Sequence, residues 1–127
     1  MGRRDSKDPQ WIKLKKLLIL RDKGMCRFLR ICTPREAMAL KKNAGPRINT
    51  LDPAHIIACG TWTEGTYLLD NVVLLNRYSH DMLDNCRNPA TGEMITYEER
   101  ENFWMRIAGS TNYNTLKEMQ YGCNKQD

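Results

Sequence analysis

Two histidines, His55 and His80, are the only imidazoles in the chain, and they lie twenty-five positions apart. Asn71 falls between them, sixteen positions after His55 and nine before His80. Neutral imidazole is suited to take a proton from water near pH 7. An Asn side chain both donates and accepts hydrogen bonds, so it can fix the loop that carries such a base. The pattern predicts a hydrolytic centre in which His55 activates water and Asn71 braces the structure around it.

Carboxylates accompany both histidines. Asp52 lies three residues before His55, and Asp84 lies four after His80, one turn along the same face if this segment is helical. Hydrolysis of a phosphodiester needs a cation to neutralise charge on the phosphate and on the departing 3′ oxygen. Carboxylate and imidazole are both ligands for such cations. We therefore predict that Asp52 and His80 hold one divalent cation, with Asp84 reaching it directly or through water.

The elements that must position these residues form a compact ββα unit of about residues 50–88. It is predicted to contain a strand over Ala54–Ala58, a strand over Val72–Leu75 and a helix over Arg77–Asn85. Before it, Asp8-Pro9 is typical of a helix start and predicts a basic helix over about residues 8–23. A short helix from Thr33 to Leu40 and C-terminal helices over about residues 96–120 complete the prediction. The fold class expected is α+β, a ββα core in one mainly helical domain spanning residues 1–127.

The basic residues are concentrated in the first part of the chain. The 127 residues carry a net charge of +5, but residues 1–50 contain fourteen Lys or Arg against four Asp or Glu. The first fifty residues therefore carry +10 and the remainder −5. A solvated basic helix face would give the same count, but the distribution also suits a polyanion such as DNA. The expected DNA contacts are Lys15, Lys16, Arg47 and Arg77.

Membrane and secretion features are not evident in the sequence. No apolar run approaches the roughly 20 residues that span a bilayer, and no apolar segment directly follows the basic N-terminal residues. Five cysteines without a regular spacing suggest reduced thiols. We expect a soluble cytoplasmic protein with no membrane partner, either a monomer or a homodimer.

Three segments resemble the HNH (ββα-metal, His-Me finger) endonuclease family, and in particular its small phage-type members. They are residues 52–57 (DPAHII), 70–75 (DNVVLL) and 79–84 (SHDMLD), preceded by a similar lead-in with Trp11 and the run from Arg21 to Cys26. The resemblance implies that His55 is the general base, Asn71 the middle brace and His80 a metal ligand. It also implies Mg²⁺ or Mn²⁺ as cofactor, with Ni²⁺ or Zn²⁺ binding in vitro, and a phage protein would act in the host cytoplasm.

Two departures from the family pattern affect its metals. The position before the base, a ligand in many members, is Ala54, and Asp52 resembles the alternative ligand placement of some resolvase-like relatives. Many small HNH proteins also bind a structural zinc through two Cys pairs. Here Asn76 and Ser79 stand at the second pair, and Cys26 and Cys32 are separated by five residues rather than two. Structural zinc is therefore not expected.

The sequence leaves three functions open. The first is a DNA endonuclease that nicks or cuts duplex or branched DNA. The second is a catalytically inactive nucleic-acid-binding module of the same fold in a phage packaging or recombination complex. The third is a small helical interaction protein. The loops over residues 33–50 and 59–66 would determine the substrate.

Overall fold

The computed structural model describes residues 7–125, which form a mixed α+β structure of six helices and one two-stranded antiparallel sheet. Short 3-10 turns span Gly45–Asn49, Thr63–Gly65 and Leu69–Asn71. The main elements are α1 (Pro9–Asp22), α2 (Arg27–Ile31), α3 (Pro34–Ala44), β1 (Leu51–His55), β2 (Val72–Asn76), α4 (Arg77–Asp84), α5 (Tyr97–Ala108) and α6 (Ser110–Lys125). The α+β class expected from the sequence is confirmed.

Local capping signals define several helix boundaries. Asp8 caps α1 by accepting from the backbone N–H of Gln10 at 3.0 Å, and Thr96 begins α5 through a capping box with Glu99. Both helices agree with the prediction. The helix begun by Thr33 is longer than predicted because it continues past Leu40 to Ala44, and the last helix runs from Ser110 to Lys125 rather than ending near residue 120. The five-residue helix α2 was not predicted at all.

The first strand lies earlier than predicted. The sequence indicated Ala54–Ala58, whereas β1 runs from Leu51 to His55 and includes Pro53. Pro53 pairs with Leu74, whose N–H points away from β1 and donates to the Asp22 carboxylate at 3.0 Å. At such a position of an antiparallel pair the strand residue directs its N–H outward, so a proline breaks no ladder bond.

Helices cover both faces of the sheet. Val72 and Leu74 pack against Trp11, Leu14 and Leu18 of α1. The opposite face belongs to a larger core, whose members include Ala54, Val73, Leu75, Leu83, Trp104, Ile107 and Leu116. All five residues of β2 are buried, which explains why its first four, Val72 to Leu75, form a continuous apolar run rather than an alternating one.

A buried carboxylate joins the end of α1 to the outer edge of β2. Asp22, 1% exposed, accepts from the N–H of Leu74, from Arg21 Nε at 2.9 Å and from Arg27 Nη1 at 3.1 Å. Arg21 Nη1 also donates to the carbonyl of Leu69 at 2.8 Å. Burial raises the pKa of Asp22, but these hydrogen bonds and the two guanidinium charges hold it below its ordinary value. The contacts fix α1 against the sheet.

Within residues 7–125, no helix combines the length and the apolar character needed to cross a bilayer.

Candidate active site

His55 is the last residue of β1 and is half-buried. Its Nε2 lies 2.9 Å from the backbone carbonyl oxygen of Thr66. A carbonyl only accepts, so Nε2 carries the ring proton and Nδ1 carries the basic lone pair of the neutral imidazole. The indole of Trp11 stacks on the ring, with centroids 5.9 Å apart and planes inclined by 19°. The loop and α1 therefore define both the tautomer and the orientation of His55.

Asn71 is fully buried and holds both ends of the loop between the strands. Its Oδ1 accepts from the N–H of Ile57 at 2.8 Å, while its Nδ2 donates to the carbonyls of Ile57 at 3.0 Å and Gly65 at 3.2 Å. Each part of the amide is matched by a backbone partner. Since Gly65 directly precedes Thr66, Asn71 also positions the carbonyl that accepts from His55.

Gly65 allows this close approach. A Cβ atom at this position would lie 2.5 Å from Cε3 of Trp62 and 2.7 Å from Nδ2 of Asn71. Any larger residue would displace the amide or the indole, so glycine is required for the loop to close over Asn71.

Four charged or titratable side chains meet between β1 and the start of α4. Arg77 Nη2 donates to Asp52 Oδ1 at 3.0 Å, and Arg77 Nε donates to Asp52 Oδ2 at 3.3 Å. His80 Nδ1 lies 3.5 Å from Asp52 Oδ2, and His80 Nε2 lies 3.6 Å from Asp84 Oδ2. Burial raises the pKa of Asp52, but the Arg77 and His80 hydrogen bonds and charges outweigh it and lower the pKa below its ordinary value.

The structure brings together Asp52, His80 and Asp84, and it separates this group from His55. Side chains alternate across a strand, so Asp52 and Ala54 share one face of β1 and His55 lies on the other. Ala54 accordingly packs in the core that includes Leu83 of α4, whereas His55 contacts Trp11 of α1. Asp52 and His55 are three positions apart along the strand, which places their Cα atoms about 10 Å from each other.

The donor atoms fit a two-ligand cation site rather than a three-ligand one. Two ligands at right angles on an octahedral cation with bonds of about 2.1 Å lie about 3 Å apart, close to the 3.5 Å between Asp52 Oδ2 and His80 Nδ1. Asp84 lies beside the other ring nitrogen of His80, so in this arrangement its carboxylate is directed away from a cation bound at Nδ1. In the described part of the chain no group of three His, Cys, Asp or Glu side chains is arranged to hold a metal.

The four predicted DNA contacts occupy two places. Arg77 is bound to Asp52, and Arg47 forms an ion pair with Asp81 and lies over the ring of Tyr78, 5.6 Å from its centroid. Both arginines therefore flank the start of α4. Lys15 and Lys16 lie on α1, where Lys15 is half-buried and Lys16 is exposed.

The sequence did not predict three of these contacts. Trp11 was assigned to the lead-in without a role at the site, and neither the carbonyl of Thr66 nor the pairing of Arg77 with Asp52 was expected. Three of the residues that stand where small HNH proteins carry their two zinc-binding Cys pairs also interact with one another. Cys26 Sγ accepts from the backbone N–H and from Nδ2 of Asn76, each at 3.2 Å, and Asn76 Oδ1 caps α4 through the N–H of Ser79 at 2.8 Å.

No protein-family model, curated protein or solved structure was found to match this chain. The functional assignment therefore depends on the geometry of its own side chains.

Proposed function

We propose that this chain is a metal-dependent DNA endonuclease of the HNH type, with the ββα-metal core formed by β1, β2 and α4. The observation that carries the proposal is the setting of His55. Its Nε2 is committed to the carbonyl of Thr66 and its ring is held by Trp11, so Nδ1 is the basic nitrogen at the end of a strand. A fixed tautomer with an oriented lone pair is what a general base requires.

His55 Nδ1 would accept a proton from the attacking water. The imidazolium that results keeps its Nε2–H bonded to the Thr66 carbonyl, whose partial negative charge stabilises the new positive charge. Asn71 does not react in this scheme. It holds the loop backbone at Ile57 and Gly65, so the Thr66 carbonyl stays in line with the ring.

Asp52 and His80 would hold one divalent cation, Mg²⁺ or Mn²⁺, through a carboxylate oxygen and a ring nitrogen. When bound, such a cation supplies charge neutralisation at the phosphate and at the 3′ oxygen. Because the base and the ligands lie on opposite faces of β1, about 10 Å apart, the scissile phosphate would have to reach both groups around the edge of the strand. Arg47 and Arg77, at the start of α4, would bind neighbouring phosphates together with Lys15 and Lys16.

Nicking of supercoiled plasmid tests the proposal. The intact protein is expected to convert plasmid to the relaxed form with Mg²⁺ or Mn²⁺, and EDTA is expected to stop the reaction. His55→Ala should lose the activity. Gly60→Ala, in the loop that follows β1, should retain it, because a Cβ at Gly60 meets nothing within 4 Å. Nicking by His55→Ala at the rate of the intact protein would contradict the assignment of the base.

A second candidate is the inactive DNA-binding module. It is favoured by the burial of Ala54, which offers no ligand beside His55, and by the engagement of both Asp52 oxygens with Arg77. This candidate predicts DNA binding with a steep salt dependence and no cleavage with any divalent cation.

A further inference from the structure

The Asp52 carboxylate already forms an ion pair with a side chain of the protein, that of Arg77. Arg77 reaches one oxygen with Nη2 at 3.0 Å and the other with Nε at 3.3 Å, the two-pronged geometry in which guanidinium binds carboxylate most strongly. The Arg77 side chain is 40% exposed, and the Asp52 side chain 21%. The ion pair therefore lies at the surface, where an external anion can reach the guanidinium.

The same carboxylate is one of the two ligands spaced for a divalent cation. Asp52 Oδ2 lies 3.5 Å from His80 Nδ1 and 3.3 Å from Arg77 Nε. A divalent cation bound to Asp52 and His80 would lie a few ångströms from the Arg77 guanidinium, and the two positive charges would repel each other. The Asp52 carboxylate can thus bind either Arg77 or the divalent cation strongly, but it binds each of them more weakly while the other is present.

Arg77 is well placed to change partners. It is the first residue of α4 and follows the N-cap Asn76, so rotation of its long side chain requires no change in the helix. Its backbone N–H is held by the carbonyl of Thr50 at 2.8 Å, which fixes the backbone independently of the guanidinium. Phosphate oxygens match the guanidinium fork as well as a carboxylate does.

We propose that Arg77 is an exchangeable counter-ion that couples cation binding to DNA binding. Without DNA, Arg77 neutralises Asp52 and keeps the affinity for divalent cations low. When a DNA backbone docks, Arg77 transfers to a phosphate and releases Asp52 to the cation beside His80. No covalent bond changes in this exchange. The coupling rests on the proposed function, and because linkage is reciprocal, the cation must raise DNA affinity by the same factor as DNA raises cation affinity.

Direct Mn²⁺ binding, followed by electron paramagnetic resonance of the free ion without DNA, tests the exchange. Arg77→Met removes the guanidinium and is expected to bind Mn²⁺ about tenfold more tightly than the intact protein, because it removes one positive charge beside the carboxylate. Lys117→Met is the matched control, since it changes net charge equally and Lys117 is also paired with an exposed carboxylate, that of Glu101 on α5. Lys117→Met is expected to leave the Mn²⁺ affinity within about twofold of the intact protein. Asp52→Asn combined with Arg77→Met should abolish the gain.

Arg77→Lys provides a second variant, because it keeps the charge and the long side chain but not the two-pronged contact. Its Mn²⁺ affinity should fall between those of the intact protein and Arg77→Met. The linkage is measured with a fluorescent duplex: Mn²⁺ should increase the DNA affinity of the intact protein, and the increase should shrink in Arg77→Met.

Equal Mn²⁺ affinity in the intact protein and Arg77→Met would overturn the exchange, as would an equal gain in Lys117→Met. Plasmid nicking separates this result from the proposed function. Nicking that requires His55, together with an unchanged Mn²⁺ affinity in Arg77→Met, leaves the endonuclease proposal standing without the exchange. A gain in Mn²⁺ affinity without nicking by the intact protein contradicts the endonuclease proposal and leaves Arg77 as the competitor of the cation.

Discussion

The indole of Trp11 stacks on the imidazole of His55, and the two residues lie on different elements forty-four positions apart in the sequence. Trp11 is 7% exposed and belongs to the small core that α1 forms with β2. The orientation of the proposed base is therefore set by a helix outside the ββα unit. Stacking supplies a flat surface that limits rotation of the ring.

Replacement of Trp11 by Leu should lower the nicking rate strongly while leaving the protein folded. The apolar side chain still fills part of the core, so we expect a loss of about 2 kcal/mol in unfolding free energy. Loss of the stacking surface lets the His55 ring rotate, and a misplaced base is expected to reduce kcat about tenfold or more. Single-turnover nicking and urea unfolding measure the two effects. Trp104→Leu, in the other core, should lose stability without a comparable fall in the nicking rate of the folded protein.

Replacement of Asn71 by Ala should destabilise the loop that carries the Thr66 carbonyl. Three backbone groups of Ile57 and Gly65 would be left buried without a partner, which is expected to lower the unfolding free energy by about 3 kcal/mol. Asn112→Ala is a suitable comparison, because the Asn112 side chain donates one exposed hydrogen bond, to the Asp70 carbonyl at 3.0 Å. Urea denaturation of both variants tests this; a loss below about 1 kcal/mol for Asn71→Ala would contradict the bracing role.

Two glycines of the same loop should respond differently to alanine. In Gly65→Ala the new Cβ would overlap Trp62 and the Asn71 amide, so both stability and nicking should fall. The loss in unfolding free energy should be about 2 kcal/mol or more. In Gly60→Ala the Cβ enters open space, and the variant should behave as the intact protein does. Thermal unfolding and nicking assays on the two variants give the comparison, and similar melting temperatures would contradict it.

The ion pair between Glu36 and Arg106 predicts a pH dependence of stability. Hydrogen bonds from Arg106 at 2.8 and 3.1 Å lower the pKa of Glu36 to about 2, against partial burial that raises it. Because the folded state binds this proton less readily than the unfolded state, the stabilisation is present above pH 4.5 and is lost as the pH falls towards 2. Glu36→Gln should be less stable by about 1 kcal/mol at pH 7, and the difference should vanish near pH 2. In an Arg106→Met background the same Glu36→Gln change should show little of this pH dependence, because the guanidinium that lowers the pKa of Glu36 is absent.

Sequence reasoning worked where the determinant was local. The capping residues Asp8 and Thr96 act within three positions of themselves, so the starts of α1 and α5 were predicted well. It failed for β1 because proline argues against a strand unless the partner register is known, and Pro53 is acceptable only through its pairing with Leu74. It missed α2 because five residues contain too little periodicity to detect.

The candidate site shows the same contrast between features set by nearby residues and features set by distant ones. His55, Asn71 and His80 were selected by residue type and spacing, which need no tertiary information. The partners of these residues come from distant positions: Trp11 reaches His55 from α1, and Arg77 reaches Asp52 across twenty-five positions. Spacing alone placed Asp84 beside His80 correctly. It could not reveal that the carboxylates of Asp52 and Asp84 lie beside opposite nitrogens of the His80 ring.

The carboxylate of Asp22 also determines whether the ββα unit can fold separately from α1. Cut out as residues 50–88, the unit would lose the group that accepts from the Leu74 N–H, and the outer edge of β2 would offer its unpaired backbone groups to any strand that met it. Val72 and Leu74 would lose their cover at the same time. Transferring the ββα unit into another scaffold would therefore require α1 to be transferred with it, and an excised fragment should aggregate through its open strand edge.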